Sequence, residues 1–209
     1  MRDDATNGAN DVRRIASGAA AGAGTLSTQP AAGAVPCEVS ACQTLVGAAC
    51  HLLGQCRELV GGLSDAYFVA PSARLGGGTI GQHLRHTLDH YRAIVGANGL
   101  IDYDHRERDV PMESDRAEAL RVIDAMHERL HALGAGSDAV PVAVRVMVSG
   151  DGTELQLSST LGRELAFATH HAVHHQAMMR SIALELGAAV DPHFGRAPST
   201  IHFERRRPG

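Results

Sequence analysis

Apolar residues in the first half of the chain recur at alternating steps of three and four. Cys42, Leu45, Val46, Ala49, Leu52, Leu53, Cys56, Leu59, Val60 and Leu63 form one such series, which predicts a long helix with a single buried stripe. Ser40 stands where a cap belongs, and Gly61-Gly62 are expected to erode the last turn. After Gly76-Gly77-Gly78, Thr79 caps a second predicted helix over residues 80–97, with Ile80, Leu84, Leu88, Tyr91, Ile94 and Val95 on its apolar side. A polar connection over residues 101–109 leads to Pro111. Ser114 then offers a cap for a third helix carrying Leu120, Ile123, Met126, Leu130 and Leu133, stopped by Gly134 and Gly136.

The period now changes. Val142, Val144, Val146 and Val148 alternate with other residues, Ser149-Gly-Asp-Gly152 is a turn, and Leu155 and Leu157 resume the alternation. That is a β-hairpin. A fourth helix follows over residues 160–187 and ends at Gly187. Four amphipathic helices must bury their stripes against one another. The expected fold is therefore mainly α: a four-helix bundle with a β-hairpin before the last helix. Residues 1–36 read as a disordered leader, 37–190 as the bundle, and 191–209 as an extended tail laid on the surface.

Composition narrows the picture. At 44% apolar and only 3% aromatic, the core must be built from small aliphatic side chains, which suits packed helices. The formal charge is -4 with basic residues scattered, and Arg205-Arg206-Arg207 reads as a solvated end, so no nucleic-acid partner is expected. No run of eighteen apolar residues exists, so neither a transmembrane helix nor a membrane partner is expected. The leader opens with Asp3-Asp4 and lacks a hydrophobic stretch, which argues against a secretory signal and for the cytoplasm. Cys37, Cys42, Cys50 and Cys56 form no C-x-x-C pair and are expected as reduced, packed thiols.

The histidines are less easily dismissed. Of thirteen, His170, His171, His174 and His175 fall within six residues of the fourth helix, and His83, His86 and His90 recur on the second. At about 100° per residue, His175 lies about 40° and His171 about 80° from the buried direction of the fourth helix, whereas His170 and His174 point away. An imidazole buried without a partner costs about 1–3 kcal/mol. A lone histidine on a helix flank is usually solvated or hydrogen-bonded, but an inward pair four residues apart, facing three more histidines, points to a metal. On the second helix, periodicity puts His83 and His90 nearer the core than His86 and leaves the choice of ligand open.

Two stretches carry a family resemblance. Thr79-Ile80-Gly81-Gln82-His83-Leu84-Arg85-His86-Thr87-Leu88-Asp89 and His171-Ala-Val-His174-His175-Gln176-Ala-Met-Met179 resemble segments of the DinB/YfiT-like superfamily of metal-dependent proteins. The hairpin before the last helix agrees, and the similarity covers residues 38–188. In that family the ligand histidine of the second helix comes seven residues after the opening Ser/Thr. The last helix carries H-x-x-H-H-R-G-Q-L, with its first and last histidines as ligands. The resemblance thus implies His86, His171 and His175 as ligands, with His83 and then His90 in reserve. Gln176 and Ala177 depart from the usual arginine and glycine.

Three neutral imidazoles leave a divalent ion with open positions, the arrangement of a catalytic site. Zinc, nickel or iron suit it, and copper is also compatible. The resemblance implies either a hydrolase or a transferase that activates a low-molecular-weight thiol. The alternative is a non-catalytic metal-binding or stress-related interaction module. A small-molecule substrate and a homodimeric assembly are the partners admitted. Asp89 is a candidate to orient a ligand, and Asp102, Asp104 and His105 to border the site, although helix-surface and capping roles account for them equally.

Overall fold

Four long helices bury the four stripes. The structure, a computed structural model, describes residues 40–106 and 109–206; the predicted leader and Cys37 lie outside the described residues. Helix α1 (Ala41–Gly62) opens with a reciprocal cap, in which Gln43 N donates to Ser40 Oγ (3.2 Å) and Ser40 N to Gln43 Oε1 (3.1 Å). It continues through Gly61 and Gly62, where an eroded turn was expected, because Leu59, Val60 and Leu63 are all buried and hold the last turn on the core. A single turn, α2 (Asp65–Phe68), buries Phe68. Helix α3 (Ile80–Val95) repeats the reciprocal cap with Thr79 and Gln82. At α4 (Arg116–His131) the cap is Asp115 rather than the expected Ser114, which is taken up in closing a 3-10 turn at Pro111–Glu113. The Asp115 carboxylate accepts from Ala117 N (2.9 Å) and Glu118 N (3.0 Å). Thr160 caps α5 (Leu161–Glu185).

Packing orders the helices. Helix α3 lies on α5, α5 on α1, α1 on α4, and α4 on α3, so α1/α3 and α4/α5 stand diagonally opposite. The described residues form one compact unit. Its interior holds Leu53, Phe68, Leu84, Tyr91, Ile123, Leu165 and Ile182, each 2% exposed or less. No described helix is long and apolar enough to cross a membrane.

The hairpin consists of β2 (Pro141–Met147) and β3 (Glu154–Thr160), antiparallel, with Val144 opposite Leu157. A third strand, β1 (Leu100–Asp102), joins β2 in parallel within the stretch read from the sequence as a polar connection. Three residues are too few to show an alternation, but Ile101 is fully buried and fixes the register opposite Val144. This strand carries Tyr103 to the α3/α5 seam.

The C-terminal segment is not extended throughout, as expected from its prolines. It carries a helix, α6 (Pro198–Arg205), because Pro198 occupies a first-turn position, where a fixed φ favours helix and the missing N–H is not needed. Before it, Phe194 is buried, and Gly195 (φ +71°) approaches so closely that a Cβ would lie 2.6–2.7 Å from Ala177 N and Cα on α5.

A second tight approach positions the start of α3. A Cβ on Gly81 would overlap the carbonyl oxygen of Glu113, a backbone atom that cannot swing aside. Gly81→Ala is therefore expected to destabilise the protein by about 1–3 kcal/mol through overpacking. A lower urea midpoint at unchanged slope would register this; an unchanged midpoint would show that the 3-10 turn yields freely.

Candidate metal centre

Helices α3 and α5 face each other along the seam that bears the histidines. Positions 83, 86 and 90 recur at about one turn on α3, and 171 and 175 are one turn apart on α5. Thr79 and Thr160 set where each helix begins, and so which residues reach the seam. One nitrogen each from His86, His171 and His175 lie within 4.8 Å of one another. His171 Nε2 is 3.1 Å from His86 Nε2 and 3.0 Å from His175 Nε2.

These separations fit a metal. Two nitrogens at about 2.05 Å from one ion lie about 2.9 Å apart at a right angle and about 3.3 Å apart at the tetrahedral angle. Lone pairs at such distances repel unless a proton or a cation lies between them. A neutral ring with its N–H on Nε2 meets that need as a metal would, whereas a further proton on each ring is disfavoured. Burial, with His90, Arg106, His171 and Arg85 adding to it, pushes His86 down to about 3. Burial and the same kind of positive surroundings take His171 down to about 4 and His175 to about 2. The three rings are thus held neutral, the form that ligates.

The reserve histidines surround this group. His83 Nδ1 lies 3.1 Å from His175 Nδ1, and in the tautomer with the proton on His175 Nδ1 that ring donates to His83 and leaves its Nε2 free toward the centre. His90 Nδ1 donates to the His86 carbonyl oxygen (2.9 Å), and its ring lies 4.2 Å from that of His171 and stacks on Tyr103 at 4.9 Å. His86 Nδ1 is buried without a hydrogen-bond partner. His170 and His174 are exposed.

The predicted acidic residues are only partly at the site. Asp89 does not touch His86; it binds Arg85 (2.7 Å) and Arg92 (3.1 Å) because both guanidiniums lie one turn away on the same helix. Asp102 and His105 pair with each other at 3.0 Å. Asp104 accepts from Met147 N (2.7 Å) and lines a cavity of 460 Å³ together with His90, Tyr103, Glu164 and Phe167. A second cavity of 420 Å³ opens onto His86 and His175 and includes Arg85, Arg106 and Glu113.

Tyr103 and Glu164 have no counterpart in the sequence reading. Glu164 is 1% exposed and accepts from Tyr103 Oη (2.8 Å), Ser159 Oγ (2.6 Å) and Arg163 Nη1 (2.8 Å). In the sequence it looks like an ordinary first-turn acid. Only the third strand, which delivers Tyr103, distinguishes it.

Acid should unfold the metal-free protein. Between about pH 6.5, where histidine titrates in the unfolded chain, and about pH 4, the unfolded state binds more protons than the folded one, so stability falls with pH. A urea midpoint markedly lower at about pH 5 than at about pH 7.5, in chelator-treated protein, is the expected result. Equal midpoints would mean that these rings are not held neutral.

Comparison with known proteins follows the same lines. The family model for the DinB superfamily matches residues 54–179. A protein named FK506-binding protein 5, from Rhizopus delemar, is 33% identical over 109 residues, 52% of this chain and 28% of that protein; the chain thus spans well under a third of that relative's length. Among solved structures, YfiT from Bacillus subtilis, described as a probable metal-dependent hydrolase with an unusual four-helix bundle topology, aligns with a TM-score of 0.49 and 13% identity over 77% of this chain and 95% of that one.

Proposed function

The chain belongs to the DinB superfamily, and on that footing we propose that it is a metal-dependent enzyme, a hydrolase or a thiol-dependent transferase, with His86, His171 and His175 as the ligands of one divalent transition-metal ion. The observation that carries this reading is the convergence of three imidazole nitrogens beside a cavity, His171 Nε2 lying 3.1 Å from His86 Nε2 and 3.0 Å from His175 Nε2. Three ligands leave positions open, as a catalytic ion requires and a purely structural one does not. Such an ion acts as a Lewis acid, lowering the pKa of a coordinated water or thiol or polarising a carbonyl.

The chain's own residues prepare that chemistry. His83 holds His175 in the tautomer that presents Nε2, and His90 is fixed by the His86 carbonyl and stacked on Tyr103. Arg85, bound to Asp89 and Glu113, lines the cavity beside His86 together with Arg106, Asp109 and Glu113, so its polar walls carry both signs of charge. Zinc, nickel and iron all suit the donor set.

Elemental analysis of the purified protein beside its His86→Ala variant tests the ligand set. About one equivalent less in the second than in the first is expected. Equal metal in both removes His86 from the ligands. Metal-loaded protein offered esters, amides and a thiol with an electrophile then tests turnover; metal bound without activity on any of them would favour the non-catalytic alternative.

A further inference from the structure

A second group of ligating side chains stands between α1 and α4, away from the α3/α5 seam. Cys50 Sγ and one ring nitrogen each of His127 and His131 lie within 4.8 Å of one another. Helix α1 supplies the sulfur from a buried position, 6% exposed. Helix α4 supplies two imidazoles four residues apart, with ring centroids 6.0 Å from each other. Burial runs outward from Cys50 through His127 to His131, which is exposed. The group therefore has an interior anchor and an open mouth.

Two further observations point to a ligand. His127 Nε2 is buried and has no hydrogen-bond partner. Cys50 is a free thiol, and no disulfide takes its sulfur.

We propose that Cys50, His127 and His131 form a second metal site, with one thiolate and two imidazoles, for a borderline-to-soft divalent ion such as zinc. Metal–sulfur and metal–nitrogen bonds of about 2.3 Å and 2.05 Å put sulfur and nitrogen about 3.5 Å apart. The three atoms already lie within 4.8 Å of one another, and His131 is at the exposed end of the group. On binding, the thiol proton leaves to solvent as the sulfur–metal bond forms, so uptake releases one proton that an all-imidazole site does not. The sulfur makes this the softer of the two sites, and a water or an outside ligand completes it. The proposal is independent of the function argued for the α3/α5 seam.

Cobalt(II) reports sulfur ligation directly, through a thiolate-to-metal charge-transfer absorption in the near ultraviolet. Full-length, reduced, metal-free protein titrated with cobalt should take up two equivalents and develop that absorption. His131→Ala, at an exposed position that leaves all the cysteines in place, should remove the absorption and one equivalent. Cys50→Ser should do the same, and Cys42→Ser on the same helix should not. His86→Ala combined with His171→Ala should remove the other equivalent and spare the absorption. An absorption missing from the wild-type protein, or surviving His131→Ala, would overturn the proposal. Should Cys50→Ser fold poorly, His131→Ala alone decides.

Discussion

His171→Ala is expected to lower metal affinity at the α3/α5 seam by more than about 100-fold and to abolish any turnover that depends on the ion. His174→Ala, three residues further on, should change neither. The size follows from position. His171 Nε2 is the shared vertex of the group, 3.1 Å from His86 Nε2 and 3.0 Å from His175 Nε2, so its loss leaves two nitrogens and no facial arrangement. Removing a residue that merely orients a ligand already costs about 10–100-fold. Competition with a chromophoric chelator measures the change, and circular dichroism checks that the helix persists. Equal losses from the two variants would mean that the exposed side of α5, not its buried side, holds the ion.

Phe194→Ala is expected to destabilise the protein by about 3–5 kcal/mol, a large share of the 5–15 kcal/mol typical of a domain. Phe194 is 1% exposed, although it belongs to the segment that composition marks as a surface tail. Arg180 Nη1 on α5 donates to the Asp191 carbonyl (2.7 Å), and Gly195 lets the chain approach Ala177, so the ring is clamped on both sides. Urea unfolding gives the number. A change within about 0.5 kcal/mol would return this segment to the surface.

The bundle was legible because each of its helices repeats one stripe over four or more turns, and Ser40, Thr79 and Thr160 mark the starts. Short pieces were not. Strand β1 has three residues, and α6 begins at a proline that reads equally well as a helix breaker. At the centre, helix phase found the pair on α5 but ranked His86 behind its neighbours. Phase measures angle from the apolar centroid of one helix, which points to the middle of the square. The group of His86, His171 and His175 sits off that middle, on the α3/α5 seam, and His86 is the residue on that flank of α3. The group around Cys50 was out of reach: nothing near Cys50 in the sequence announces His127 and His131.

The α3/α5 seam joins residues far apart along the chain, His86 and His171 standing 85 positions apart. An ion bridging them would close a long loop in the folded chain and be released when the chain unfolds. Because it binds only the native arrangement, free metal at about a thousandfold over Kd adds about 4 kcal/mol to the free energy of unfolding. The thermal midpoint then becomes a gauge of metal supply, and a cell short of the ion would hold a less durable protein before it held a less active one.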